Sequence, residues 1–233
     1  MKKKNIYISN FYKEKNPDWH SSDSKFKLFE ILKILKKNNI NLKKICDIGC
    51  GSGNIIFNLS KIYKESLFHG YEISPYAYKI SKKKKNRNLI FFNKDINNIN
   101  TFYDCSLCID VFEHVDNYIG FLNQIKKISQ YSIFHVPLDL SVQSIIRTRP
   151  IFYARKNVGH LHYFNKEILL EIFKDLDFEI LDFHYTFNKN IYKSKSIIKI
   201  ISAFCRNIFF KISPNFTAKY LGGYSLMILT KNN

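Results

Sequence analysis

The chain has 233 residues, 45% of them hydrophobic, enough for one well-buried α/β domain and tight for two. Lys and Arg outnumber Asp and Glu by 37 to 19, a formal net charge of +18, and such an excess usually points to an anionic partner. Here lysine is scattered along the whole chain with Asn and Ile, as in Lys82-Lys83-Lys84-Lys85 and Asn97-Asn98, which is a compositional drift and argues against a nucleic-acid stripe.

Residues 1–22 are polar and aromatic and read as an arm. Phe26, Phe29, Leu32, Ile34 and Leu35 then recur at near-helical spacing, with Ser21, Ser22 or Asp23 as the expected N-cap. Lys43–Ile48 is a short apolar run ending at glycine and reads as the first strand. A helix is expected from about Gly53 to Lys64, a second strand over Leu67–Glu72, and a helix over Pro75–Lys84 with proline in its first turn. Strands three and four are expected at Leu89–Phe92 and Tyr103–Ile109. Ile119, Leu122, Ile125 and Ile128 mark a surface helix over Asp116–Ser129, followed by strand five at Tyr131–Val136. Residues 137–163 are less regular and suit a substrate-facing insertion. Asn165 caps a helix through Leu176, and Phe178–Phe187 and Tyr224–Thr230 complete seven strands. Alternating strands and helices predict a doubly wound, mainly parallel sheet. The boundaries expected are an arm and helix at 1–40, a core at 43–186 and a basic amphipathic insertion at 189–219, all within a single domain.

The five cysteines are Cys46, Cys50, Cys105, Cys108 and Cys205. Cys105 and Cys108 have CxxC spacing but lie inside an apolar run, with no second pair to complete a zinc site, so all five read as reduced thiols. The basic N-terminus lacks an apolar signal core, and no segment offers the about 18–20 apolar residues of a membrane span. The expected location is cytoplasmic, with peripheral contact at the inner membrane face as the alternative.

Asp47-Ile48-Gly49-Cys50-Gly51-Ser52-Gly53 is the most informative segment. A chain leaving a strand, turning sharply and entering a helix against a ligand needs glycine where φ is positive or a side chain would block the approach. Dinucleotide sites use G-x-G-x-x-G to seat a pyrophosphate. This loop is G-x-G-x-G with an acid two residues before it, which suits a ligand with a cationic amino group. Glu72 ends the second strand about 20 residues on, the offset of an acid that accepts ribose hydroxyls.

With these residues in view, Ile45–Asn54 resembles motif I of class I S-adenosylmethionine-dependent methyltransferases. Gly70-Tyr71-Glu72-Ile73-Ser74 and Asn93-Lys94-Asp95-Ile96 resemble the family's next two motifs. Cys108–Val115, ending Glu-His-Val, and Gly159-His160-Leu161-His162-Tyr163-Phe164 are similar to segments of its small-molecule branch (methyltransferase 11/23-like), and Leu221–Leu226 fits its final strand. The resemblance implies a Rossmann-like sheet of order 3-2-1-4-5-7-6 with strand seven antiparallel. It also implies S-adenosyl-L-methionine as cofactor, held by Asp47, Gly49, Cys50, Gly51, Gly53, Glu72, Ile73, Asp95, Ile96, Asp110, Val111 and His114. Asp95 would meet the adenine amino group and Ile96 the ring.

His160 and His162 are the expected general bases, lying where the family builds its acceptor site; tying down that loop by hydrogen bonds is their other reading. Two histidines at this spacing could ligate a metal, but no third ligand is evident, and no metal is expected. His135 reads as a satisfied core residue and Asp139 as a weaker base. The Asn/Asp-Pro-Pro-aromatic motif of amino-methylating nucleic-acid enzymes is replaced by Ile109-Asp110-Val111-Phe112. The expected reaction is methyl transfer to a small molecule, such as O-methylation of a sugar or a nucleotide-activated precursor. A catalytically inactive cofactor-binding module is the main alternative, and a nucleic-acid methyltransferase a weaker one. Residues 189–219 carry seven basic residues and no acid among many Ile and Phe. They read as one or two amphipathic helices that cover the domain, lie on a membrane surface or form a dimer contact. In the cover reading Phe209 lies on the packed face.

Overall fold

Apolar side chains alternate along the strands, and both alternating sets are buried. Cys46, Ile48, Cys108, Phe134, Val136, Leu226 and Ile228 join one core cluster; Ile45, Leu107, Ile133, Met227 and Leu229 join another. A sheet buried on both faces needs helices on both, and the chain supplies them. The computed structural model describes residues 21–187 and 197–232. Its sheet has seven strands: β1 (Lys44–Ile48), β2 (Leu67–Tyr71), β3 (Leu89–Phe92), β4 (Tyr103–Ile109), β5 (Ser129–Pro137), β6 (Phe178–Thr186) and β7 (Ser225–Asn232), in the order β3-β2-β1-β4-β5-β7-β6. β7 runs antiparallel to both β5 and β6, and the other pairs are parallel. This is the expected topology.

One face is covered by α1 (Ser24–Lys37) and α2 (Asn54–Ile62), which bury Ile31, Ile34, Leu35, Ile56 and Leu59. Phe29, expected on that stripe, is exposed, so the buried face of α1 is turned toward Ile31. Asp23 occupies its N-cap position without a side-chain capping bond to the helix. A shorter helix, α3 (Pro75–Ser81), precedes β3. The other face is covered by α4 (Tyr118–Ile128), with Leu122, Ile125 and Ile128 inward, and α7 (Lys166–Asp175), with Leu169 and Phe173 inward. Asn117 accepts from Gly120 N–H and Asn165 from Ile168 N–H, capping these helices as such residues do.

The stretch 137–163 is more regular than its sequence suggests. It forms α5 (Val142–Arg147), α6 (Arg149–Tyr153) and a π turn over Ala154–Val158. Elements this short carry too few turns to show a helical period. The basic segment contains α8 (Ile197–Ile212), α9 (Pro214–Phe216) and a π turn over Thr217–Leu221; residues 188–196 lie outside the described part, as does the arm through residue 20. Cys105 and Cys108, three apart on β4, fall in opposite core clusters, so their spacing is incidental.

Candidate functional site

The ends of β1, β2 and β4 open into one cavity of about 1120 Å³. Its floor is the glycine loop between β1 and α2. Gly49, Gly51 and Gly53 all have positive φ, at 71°, 54° and 75°. At Gly49 a Cβ would come 2.8 Å from the Val111 side chain, and at Gly53 it would come 2.6 Å from the Phe91 ring. The loop is therefore glycine for two reasons, backbone conformation and lack of room. Gly49 and Cys50 both donate to Tyr71 O, which ties the turn to the end of β2.

Glu72 closes the same turn. Its two carboxylate oxygens accept from Gly51 N–H at 2.8 Å and Ser74 N–H at 2.7 Å. A carboxylate has about four acceptor directions, so these bonds leave capacity for a ribose hydroxyl. Burial pushes its pKa up, although the backbone donors of Ser74 and Gly51 pull it back. Asp47 is 2% exposed and also lines the cavity. Burial, and then the neighbouring Glu72, push its carboxyl up to about 8. An acid so desolvated ionises readily only when a cation joins it, which fits an amino group on the ligand.

Ile73, Cys50, Asp95, Ile96, Val111 and His114 also line the cavity. Asp95 accepts from both the backbone and side-chain nitrogens of Asn97 and stays exposed, while Ile96 is buried in the core. Asp110 sits at φ 55° just beyond β4 and is held on two sides. Lys27 Nζ lies 2.5 Å from Oδ2 and His135 Nδ1 2.5 Å from Oδ1. Burial opposes its ionisation, but His135 and Lys27 outweigh this and hold its pKa well below the usual carboxylate range. His135 completes the chain at Thr186 Oγ1, 2.8 Å away, and is a satisfied buried residue as its place in β5 implied.

The two expected bases part company. His160 is 6% exposed, lines the cavity and bonds Asp139 Oδ2 through Nδ1 at 2.5 Å. His162 bonds the Val115 carbonyl through Nε2 and packs edge-on against Tyr118, and it is not among the cavity-lining residues. The two rings therefore do not act side by side. Two residues that sequence reasoning did not single out also belong here. Lys27 reaches the cavity from α1, and the fully buried Glu113 lies close to the cavity-lining His114 and His160. A lone lysine in a lysine-rich helix gives no signal. Glu113 stood within the Glu-His-Val run but had no visible partner.

A family model described as a methyltransferase domain matches residues 23–182. No curated protein matches the chain by sequence. Among solved structures, the chain is similar to magnesium protoporphyrin IX methyltransferase from Synechocystis PCC 6803 with bound SAH (TM-score 0.61, 14% identity, covering 97% of this chain and 89% of that one). It is similar to a mycolic acid cyclopropane synthase complexed with SAH and CTAB (TM-score 0.63, 13% identity, 87% and 84% covered). It is also similar to coclaurine N-methyltransferase bound to N-methylheliamine and SAH (TM-score 0.57, 14% identity, 87% and 72% covered). At these identities the likeness is one of fold.

Proposed function

The chain belongs to the methyltransferase-domain family, whose model matches residues 23–182, and from that premise we propose that it methylates a hydroxyl oxygen of a small molecule, a sugar or a nucleotide-activated precursor. S-adenosylmethionine supplies a methyl group on a sulfonium, so that the acceptor's lone pair forms the new bond and the carbon–sulfur pair stays on sulfur. Asp47 would hold its amino group and Glu72 its ribose, with Gly49, Cys50, Gly51 and Gly53 giving the backbone approach. Ile73, Asp95, Ile96, Asp110, Val111 and His114 would border the rest. We assign His160, oriented by Asp139, to the acceptor's hydroxyl, and give His162 a positioning role.

One observation supports this reading above the others: a single cavity is lined both by Asp47 and Glu72 and by His114 and His160. A binding module without turnover would have no need of a buried histidine braced by a carboxylate beside the cofactor residues. The neighbours named above span several acceptor chemistries, so the oxygen acceptor rests on the site's residues. The deciding experiment is turnover of S-adenosylmethionine to S-adenosylhomocysteine over sugars, nucleotide-sugars, phenols and amines. Cofactor binding without turnover on any of them would favour the inactive module.

We also assign the outward side of α8 to an anionic membrane surface. Phe204, Ile208, Phe209 and Ile212 are exposed there, and no acid follows Asp182 in the chain. Among the described residues no helix is long and apolar enough to cross a membrane.

A further inference from the structure

Glu113 is the buried acid that the assignments above leave unused. It lies in the single 3-10 turn Phe112–His114 after β4, is 0% exposed, and neither of its carboxylate oxygens has a hydrogen-bond partner. A buried carboxylate without hydrogen bonds is costly unless something cationic or protic joins it, and here His114 Nε2 stands 3.8 Å from Oε1. The backbone around it explains what stands near. The Glu113 carbonyl accepts from Leu161 N–H at 2.8 Å and His162 N–H at 3.1 Å, which lays residues 160–162 across the turn.

That crossing brings His160 to His114, their ring centroids 4.8 Å apart at 71°. One carboxylate oxygen of Glu113 and one ring nitrogen each of His114 and His160 lie within 4.8 Å of one another. Asp139 occupies His160 Nδ1, so Nε2 is the ring nitrogen left to ligate. A carboxylate behind the far nitrogen is the usual brace of a metal-bound histidine, because it fixes the ring and raises its basicity. Lys27, the cation from α1, is committed to Asp110.

We propose that Glu113, His114 and His160 form a divalent transition-metal site in the cavity wall, braced by Asp139, whose open positions take a hydroxyl oxygen of the acceptor. Two imidazoles and one carboxylate suit Mn²⁺, Fe²⁺, Co²⁺ or Zn²⁺ better than Mg²⁺ or Ca²⁺, which favour oxygen ligands. An ion there would lower the pKa of the hydroxyl, whose proton leaves to the solvent of the cavity. His160 then serves as a ligand, and the ion takes over the task that a base would perform. The purpose of the site rests on the methyl-transfer reading; its existence does not.

The test uses the full chain, freed of metal by chelator and titrated with Co²⁺, Mn²⁺ and Zn²⁺. The expected result is one equivalent of Co²⁺ with the visible absorption of nitrogen-and-oxygen coordination. Glu113→Gln and His160→Gln should abolish it, and Asp139→Asn should weaken it by about 10–100-fold. Circular dichroism and S-adenosylhomocysteine affinity report whether each variant is folded, and Asp139→Asn decides if the ligand variants are not. Folded protein that shows no saturable Co²⁺ binding, or unchanged binding in the variants, overturns the proposal. If S-adenosylhomocysteine binds and metal does not, this inference fails and the enzyme reading stands. If metal binds and S-adenosylhomocysteine does not, the enzyme reading fails instead.

Discussion

Lys27 Nζ stands 2.5 Å from Asp110 Oδ2, an ion pair that fastens the first helix to the end of β4 at the cavity. Burial works to lower the lysine's pKa, but Asp110 outweighs it and the net shift is upward. Removing one partner of a buried pair strands the other. Lys27→Met should cost about 2–3 kcal/mol at neutral pH, less than the roughly 3–5 kcal/mol of a fully enclosed pair, because the Asp110 side chain keeps 27% exposure. Asp110 ionises more easily folded than unfolded. Its contribution is therefore present above the unfolded carboxylate pKa of about 3.9 and is lost as pH falls toward the folded value. Urea unfolding should show a deficit for Lys27→Met that is full at pH 7 and narrows below about pH 4. A deficit independent of pH would mean that the lysine acts by packing alone.

Asp47 gives binding a pH dependence of the opposite kind. With its folded carboxyl pushed up to about 8, it is mostly protonated at pH 7 in the free protein. A cationic amino group would return it to the ionised form, so binding should release up to one proton. S-adenosylhomocysteine affinity should then rise by up to about tenfold per unit between pH 6 and 8, and level off near pH 8 as Asp47 itself ionises in the free protein. Calorimetry in two buffers of different ionisation enthalpy measures the proton directly. Asp47→Asn should abolish both the slope and the release. A flat profile in the unaltered protein would remove the amino-group assignment.

Gly53 is where conformation and crowding coincide. At φ 75°, with a Cβ position 2.6 Å from Phe91 and 2.9 Å from Ser81, alanine must strain the turn and displace a ring. The left-handed conformation costs about 1–2 kcal/mol and overpacking about 1–3 kcal/mol. Gly53→Ala should therefore lower stability by roughly 2–5 kcal/mol and weaken cofactor binding as well, read by thermal unfolding and calorimetry. A variant as stable as the parent would show that the loop can shift without loss.

The two histidines of the Gly159–Phe164 stretch should separate cleanly. His160→Asn removes a cavity side chain braced by Asp139, so turnover should fall by about 10²–10⁴-fold, the usual effect of losing the group that manages an acceptor's proton. S-adenosylhomocysteine affinity should hold. His162→Asn removes a bond to the Val115 carbonyl and should cost about 1 kcal/mol of stability, with most activity kept. The reverse pattern would place the acceptor at His162.

What the sequence disclosed follows from how far each signal reaches. β3 and β4 have the bounds expected of them, because nearly continuous apolar runs between polar residues are local signals. The glycine loop and Glu72 were legible for the same reason: the turn and its acid lie on consecutive elements. The sheet order came from the family resemblance, since a strand count alone does not give it. Lys27 with Asp110, and Glu113 with His160, were not legible, because each pair joins residues distant in sequence that only the sheet brings together. The phase of α8 was open for another cause. Phe209 and Phe210 are adjacent aromatics, and composition does not say which one faces in.

The structure settles that phase, and it corrects the expectation placed on Phe209. Phe210 stacks on the buried Tyr224 at 4.6 Å and 12°, and meets Tyr185 edge-on at 5.8 Å. Phe209 is 48% exposed, beside Phe204 at 62% and Ile212 at 76%. The helix is thus packed on one side and apolar on the other, as a surface-bound helix would be. Phe210→Ser should destabilise the fold by about 2–3 kcal/mol, somewhat below the usual core Phe→Ala loss because the ring is only partly enclosed. Combined Phe204→Ser, Phe209→Ser and Ile212→Ser substitutions should leave unfolding nearly unchanged. The parent should sediment with vesicles containing phosphatidylserine and be released by high salt, since each nearby lysine contributes about 1 kcal/mol and that attraction is screened. The triple variant should stay in the supernatant. If the parent ignores such vesicles, or the triple variant still binds them, the outward side of α8 has another use.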